Sequence, residues 1–160
     1  RHYVPKEFPF AFTNGVQGSY LEVDTATGIV TLLNHWVVED CGTVINPQLV
    51  DEQIRGGVVQ GIGGALYEEC LYSSEGQLLN GNMADYLVPM AGEMPDIDVA
   101  HVESPTKDSE LGAKGAGEAG TAGAPGAIMN AINDALKPLD ARVTRQPFTP
   151  ERILTALGKV

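Results

Sequence analysis

A single carboxylate, that of Glu118, lies in a glycine- and alanine-rich segment at 112–127 that leads into a predicted helix. Small residues let a backbone approach a bulky ligand closely and leave its N–H groups unhindered. The nearest other acidic residue is Glu110, so little else charged would crowd such a ligand. This pattern is typical of a catalytic base beside a cofactor. A solvated surface glutamate is the alternative that the residues alone leave open.

Two further polar residues occupy positions where a ligand could bind. Gln60 is the one uncharged polar residue in the middle of the glycine-rich face of the first long predicted helix, and its amide can both donate and accept hydrogen bonds. Asp40 ends a predicted strand just before a helix N-terminus, where anions and polar ligand groups can bind. An exposed glutamine and an ordinary capped turn are the structural alternatives.

The segment at 115–120 matches the dinucleotide-binding pattern GxGxxG, but its context does not. That fingerprint requires a buried strand running directly into the glycines. Here the preceding residues at 106–110 are polar, and the nearest apolar run, at 97–102, ends more than ten residues upstream. Lys114 is followed by glycine rather than by Ser or Thr, so a phosphate-binding P-loop is also disfavoured.

The sequence offers no metal site made of protein side chains. His2, His35 and His101 are scattered without ligand spacing, and no Ser-His-Asp or Cys-His arrangement is evident. Cys41 and Cys70 are too far apart for a CxxC unit, and their apolar surroundings favour buried free thiols. If a metal takes part, an organic ligand must hold it.

Composition narrows the class of protein. The 160 residues are 43% hydrophobic, enough for one domain with a core, and carry a net charge of −11. This charge argues against nucleic acid and anionic membranes as partners. No apolar run approaches the roughly 20 residues of a membrane span, and no signal peptide pattern is present, which predicts a cytoplasmic location.

The periodicity predicts an α+β module with β-hairpins and two main helices. We expect a hairpin of strands at 16–23 and 28–38, and a helix that starts at Asn46 and Pro47 and is closed by residues 67–72. Gly57, Gly61 and Gly64 on this helix indicate that another backbone or a ligand passes close by.

The remaining elements are shorter. We predict strands at 77–79, 86–88 and 97–102, a helix starting at Pro125, a β-like segment at 142–144 and a short helix at 149–157. The whole chain, 1–160, is taken as one portion of a domain, in which 1–15 forms an extended lead-in.

Several of these motifs, in this order, resemble the C-terminal part of the molybdenum-binding subunit of the xanthine dehydrogenase, aldehyde oxidase and aerobic carbon monoxide dehydrogenase family. The segments that carry the resemblance are VEDCGTVINP (38–47), QIRGGVVQGIGGALYEE (53–69), GAKGAGE (112–118) and GAPGAIMNAINDA (123–135). The resemblance covers nearly the whole chain.

The resemblance implies a site and a reaction. It assigns Glu118 as the base beside molybdenum in a hydroxylation that uses water-derived oxygen. It places the pterin against the backbone at Lys114, Gly115, Ala116 and Gly117, with Gln60 also bonded to the pterin and Asp40 near a nucleotide tail. The implied cofactor is molybdopterin with molybdenum, in the cytosine dinucleotide form.

The resemblance also implies partners. Family subunits are several times longer, so we expect the remainder of the molybdenum subunit, with an iron–sulfur subunit holding [2Fe–2S] clusters and a flavin subunit holding FAD. Alone, the chain should be inactive and expose an apolar surface. The substrate would be an aldehyde, an N-heterocycle or a similar small molecule; Glu118-Ala-Gly differs from the Glu-Pro-Pro of xanthine enzymes, which disfavours purines. A non-catalytic assembly module and a stand-alone dinucleotide-binding domain are the alternatives.

Overall fold

The computed structural model describes residues 11–160 and confirms a mixed α+β module. Its elements are β1 (Asn14–Val23), β2 (Val30–Asp40), α1 (Pro47–Leu66), β3 (Ile97–His101), α2 (Ala119–Leu136) and α3 (Pro150–Ala156). Short 3₁₀ turns lie at Ala91–Glu93 and Lys137–Leu139. His2 and most of the predicted lead-in at 1–15 lie outside the described residues. Its last two positions, Asn14 and Gly15, belong to β1.

The three strands form one mixed sheet in the order β1-β2-β3. The predicted hairpin is confirmed: β1 and β2 pair antiparallel, and the Asp24 carboxylate caps the turn by accepting from the backbone of Ala26 at 2.8 Å. Gly28 ends this turn at a φ of +75°, a conformation that favours glycine. β3 then joins the free edge of β2 in parallel.

Helix α1 begins as predicted. The Asn46 side chain accepts a hydrogen bond from the Leu49 N–H, and Pro47 occupies the first helical position. The predicted close approach of another backbone is confirmed at Gly57 and Gly61 but not at Gly64, where a Cβ would meet nothing within 4 Å. A Cβ at Gly57 would lie 3.2 Å from Gly120 Cα, so α2 crosses here at a distance that a larger side chain would prevent.

Helix α2 begins at Ala119, so the prediction that it starts at Pro125 was wrong. Proline inside a helix usually costs about 3 kcal/mol, because it lacks an N–H and its ring crowds the preceding turn. Here tertiary contacts stabilise the turn before Pro125. The Thr121 hydroxyl donates to the Gly57 carbonyl at 3.0 Å, and Gly120 packs against α1.

Three predicted strands do not form. Residues 77–79, 86–88 and 142–144 are irregular, apart from one isolated bridge between Tyr72 and Leu78. These short apolar runs do not pair with the sheet, which consists of β1, β2 and β3. The prediction of two buried thiols holds for Cys41 but was wrong for Cys70, which is exposed because α1 ends four residues before it.

The core lies between the inner face of the sheet and the two long helices, with α3 closing one end. Its fully buried large apolar side chains are Val37, Ile54, Val58, Ile62, Ile128, Ile132, Leu136, Phe148 and Ile153. Among residues 11–160, none of the helices combines the length and hydropathy needed to cross a bilayer.

Candidate cofactor site

The glycine-rich loop at 112–117 is fastened to the end of β2 by a buried ion pair. Lys114 Nζ lies 2.9 Å from Asp40 Oδ2, and the two side chains are only 9% and 13% exposed. The other Asp40 oxygen accepts from the N–H groups of Gly42 and Ser104 at 2.9 and 3.1 Å. The Lys114 ammonium, followed by these N–H donors, holds the pKa of Asp40 well below its usual range.

Two glycines allow this loop to lie directly on the β2 end. Gly42 and Gly112 both have positive φ, of +69° and +73°. A Cβ on Gly42 would overlap the Gly112 carbonyl, and one on Gly112 would lie 2.8 Å from the Thr43 hydroxyl. The Thr43 N–H donates to Gly112 O at 3.1 Å and the Lys114 N–H to Cys41 O at 2.7 Å. The path of the loop is therefore fixed from 112 to 114.

The loop then presents free backbone donors. The Gly115 N–H still donates to Ala11 O at 3.0 Å. Within the described part of the chain, however, the N–H groups of Ala116, Gly117 and Glu118 have no acceptor. Consecutive unpaired N–H groups at a helix start form a concave site for negative or polar ligand groups. A Cβ on Gly117 would meet nothing within 4 Å.

Glu118 lies at the junction of this loop and α2. It is the N-cap residue, with φ −105° and ψ 0°, yet its side chain makes no capping hydrogen bond. The residue is exposed, and among residues 11–160 its carboxylate has no ion pair or hydrogen-bond partner. Glu118 therefore carries an unengaged carboxylate at the start of α2, whereas the sequence predicted that this helix starts only at Pro125.

A glycine-rich face of α1 flanks the same junction. Gln53 Nε2 donates to the Gly117 carbonyl at 3.3 Å, which brings this face next to Glu118. Gln60 lies two turns further along the same face and is exposed. Gly56 and Gly64 lie beside it, and a Cβ on either would meet nothing within 4 Å. Sequence reasoning missed Gln53, although its seven-residue spacing from Gln60 was a signal.

A second group that the sequence analysis missed lies behind the first turn of α2. We call it the buried polar network: Gln17, Ser19, His35 and Glu39. His35 Nε2 lies 3.0 Å from Gln17 Oε1, His35 Nδ1 lies 2.9 Å from the Ser19 hydroxyl, and Gln17 Nε2 lies 3.5 Å from Glu39 Oε1. Polar residues at alternate positions of paired strands were the signal that could have identified it.

Burial controls the ionisation of this network. It lowers the pKa of His35 to about 4, so the ring is neutral at pH 7. Burial also raises the pKa of the Glu39 carboxyl, although hydrogen bonds from Gln17 and Thr13 oppose that shift. The network connects the strands to α2 through the Gln17 amide.

The geometry fits a large polar cofactor. Of the residues predicted from the sequence, the structure joins Asp40 to Lys114 and places Glu118 next to the free N–H groups of Ala116 and Gly117. Gln60 lies on a different element, along the α1 face that contacts this loop through Gln53. The side chains of Asp40 and Lys114 pair with each other, so the backbone of the loop that they hold is the part left open.

Comparisons with known proteins identify the family of this chain. Residues 2–95 match the family profile described as the molybdopterin cofactor-binding domain. The nicotine 6-hydroxylase large subunit of Paenarthrobacter nicotinovorans is 42% identical over 91% of this chain, and the carbon monoxide dehydrogenase large chain of Hydrogenophaga pseudoflava is 30% identical over 98%. The chain covers only 18% and 19% of these relatives.

Solved structures give the same result. The crystal structure of quinoline 2-oxidoreductase from Pseudomonas putida 86 superposes with a TM-score of 0.84 at 41% identity, covering 88% of this chain and 18% of that one. The aldehyde oxidoreductase of Desulfovibrio gigas superposes with a TM-score of 0.80 at 33% identity, covering 91% and 15%. The chain therefore belongs to the molybdopterin cofactor-binding domain family of the xanthine dehydrogenase, aldehyde oxidase and carbon monoxide dehydrogenase large subunits.

Proposed function

We propose that this chain is the module of a molybdenum hydroxylase that supplies the active-site base, Glu118, and part of the pterin cradle. One observation carries the proposal. At the start of α2, the exposed carboxylate of Glu118 has no partner within residues 11–160 and lies next to backbone N–H groups that have no acceptor there. The neighbouring glycines, such as Gly117, have room for a side chain within the described chain. An external group that approaches the backbone closely accounts for all three features.

Specific atoms would hold the cofactor. The N–H groups of Ala116 and Gly117 would donate to its polar atoms, and the Gln60 amide would bond the pterin from α1. Asp40 and Lys114 would act by holding the loop through their ion pair, with Asp40 near a nucleotide tail. We favour the cytosine dinucleotide form of molybdopterin, with [2Fe–2S] clusters and FAD on partner subunits.

The role of Glu118 follows from its position. When bound, the molybdenum cofactor supplies a two-electron acceptor and an oxygen derived from water. The Glu118 carboxylate would serve as the base that takes up a proton during hydroxylation of the substrate, while the two electrons of the broken C–H bond would pass to that acceptor. Because no capping bond engages the side chain, both carboxylate oxygens are available as proton acceptors.

The relatives favour the substrate class. The nicotine 6-hydroxylase subunit and the quinoline 2-oxidoreductase are 42% and 41% identical to this chain, and both names refer to N-heterocycles. We therefore propose an N-heterocycle as substrate, with an aldehyde as the alternative, and the cytoplasm as the location.

Isotope labelling tests the function. The complete large subunit that contains this chain, assembled with its partner subunits, is incubated with quinoline, nicotine or benzaldehyde in ¹⁸O-labelled water. We expect a hydroxylated product, or a carboxylic acid from the aldehyde, that carries ¹⁸O from water. Incorporation from ¹⁸O₂ instead would contradict a molybdenum hydroxylase.

A non-catalytic assembly module is the second candidate. The outer face of the sheet favours it, because Val16, Tyr20, Trp36 and Val38 are all exposed there. Contiguous exposed apolar surface is typical of interfaces. In that case Glu118 would be dispensable for turnover.

A further inference from the structure

Gln17 is the side chain of the buried polar network that contacts α2 directly. Its Nε2 donates to the Gly120 carbonyl at 2.8 Å and lies 3.5 Å from the Ala119 carbonyl. These residues form the first turn of the helix that Glu118 caps. A strand residue about a hundred positions away in sequence is thereby tied to the start of α2.

The hydrogen bonds of the network run in one direction. Carbonyl oxygens only accept, so the amide N of Gln17 must face Gly120, and its Oε1 accepts from His35 Nε2. The His35 Nδ1 is then an acceptor for the Ser19 hydroxyl. Each partner fixes the orientation of the next, and the series ends on the backbone of α2.

Two glycines make room for this arrangement. A Cβ on Gly123 would lie 2.9 Å from Gln17 Cδ, and a Cβ on Gly15 would overlap the Glu39 carboxylate. These two positions must stay small for Gln17 to reach the helix while Glu39 lies beside it. The contact between Gln17 and α2 therefore depends on small residues at Gly123 and Gly15 as well as on its hydrogen bonds.

The first turn of α2 depends on such outside contacts. Pro125 has no N–H, so the Thr121 carbonyl lacks its usual helical donor. On one side, Gly120 packs against the Ile54 carbonyl of α1. On the other side, the Gln17 amide bonds the same residue from the sheet. Removing the Gln17 bond would free this side of the turn.

We propose that Gln17 is a positioning residue for Glu118: its amide fixes the first turn of α2 and thereby the location of the carboxylate. This inference rests on the proposed role of Glu118 as the base. Gln17 acts through the backbone and touches neither substrate nor cofactor.

The test compares Gln17→Leu with Asn133→Leu in the complete, assembled enzyme. Asn133 is a matched control, because its amide bonds the Met129 and Val143 backbones near the other end of α2. We expect both variants to lose thermal stability. Only Gln17→Leu should lower kcat, by about 10- to 100-fold, with KM unchanged. The reason is that even a small displacement of a reacting group slows the reaction strongly. Only Gln17→Leu should speed amide hydrogen exchange at 116–122 while molybdenum content is retained.

A second variant keeps the proposal testable if Gln17→Leu does not fold. Gly123→Ala keeps every polar group and raises helix propensity, but its Cβ would displace the Gln17 amide. It should reproduce the fall in kcat and the faster exchange. If the folded Gln17 and Gly123 variants turn over as fast as Asn133→Leu, the positioning role is wrong.

Glu118→Gln in the same enzyme separates this inference from the proposed function. If Glu118→Gln is inactive while Gln17→Leu and Gly123→Ala turn over normally, only the positioning role is overturned. Active Glu118→Gln overturns the proposed base itself.

Discussion

At the scale of single residues, the structure distinguishes charged side chains that pair with each other from a charged side chain that has no partner within residues 11–160. Asp40 and Lys114 attract attention in the sequence as ligands, yet they form a buried ion pair. Breaking such a pair by removing one partner typically costs 3–5 kcal/mol, because the other charge stays buried. Glu118 differs because its carboxylate has no partner within residues 11–160. Residue type alone could not distinguish these cases, since the pairing joins positions 74 residues apart.

His35 gives a pH prediction at this scale. Its folded pKa of about 4 lies below the ordinary value of 6.5, so the unfolded chain binds the proton first as pH falls. The stability that depends on the neutral ring is complete above pH 6.5 and is lost towards pH 4, a loss of about 3 kcal/mol. His35→Gln should remove this dependence, as measured by urea unfolding of the 160-residue chain from pH 7 to pH 4.

Glu39 acts in the opposite sense in the same network. Its raised pKa gives stability that is present at low pH and lost as pH rises through the folded value. Comparing wild type with His35→Gln at each pH cancels this contribution. A difference between the two proteins that does not change with pH would contradict the assignment of His35 as a buried neutral ring.

At the scale of elements, the sequence predicted those helix starts and turns that are determined by residues close together in the chain. The Asn46–Pro47 start of α1 and the Asp24 turn follow from capping and turn preferences, and both are confirmed. The start of α2 does not follow from such preferences, because Pro125 interrupts the local signal while contacts with α1 and β1 support the turn before it. The same non-local contacts place Gln17 behind Glu118, and this contact with α2, unlike the alternating polar pattern of the strands, could not be read from neighbours in sequence.

The open glycines of α1 give a prediction about the cradle. Gly56→Leu introduces a side chain where its Cβ meets nothing within this chain, so the fold should be retained or slightly stabilised. In the complete subunit it should reduce pterin and molybdenum content, because the side chain would occupy the space of the cofactor. Gly126→Leu is the control, since Gly126 on α2 is equally open. Equal cofactor content in both variants, measured by metal analysis, would count against the cradle.

At the scale of the whole molecule, strand β2 buries two polar residues on its inner face and exposes apolar residues on its outer face. His35, Val37 and Glu39 face the helices, whereas Trp36 and Val38 between them are exposed. Ordinary alternation would bury the more apolar set. The expected apolar surface is therefore present. The chain spans about a fifth of its relatives, and under the proposed function the rest of the large subunit would cover this face.

This outer face predicts self-association of the isolated chain. Exposed tryptophan and valine side chains on one face of a sheet favour contacts between copies. Trp36→Thr should shift the sedimentation profile towards monomer, while Leu139→Thr, which removes an exposed leucine after α2, should leave it unchanged. A wild-type chain that sediments as a monomer at high concentration would contradict this role of the face.

The central claim is that Glu118 is the base, and one comparison tests it most directly. Turnover and molybdenum content are measured on the same samples of the assembled enzyme carrying Glu118→Gln or Glu110→Gln, the latter being an exposed acid of the preceding loop. We predict that Glu118→Gln retains molybdenum but loses about 10²- to 10⁴-fold in turnover, as expected for a missing general base, while Glu110→Gln stays near wild type. Wild-type turnover by molybdenum-loaded Glu118→Gln would contradict the account.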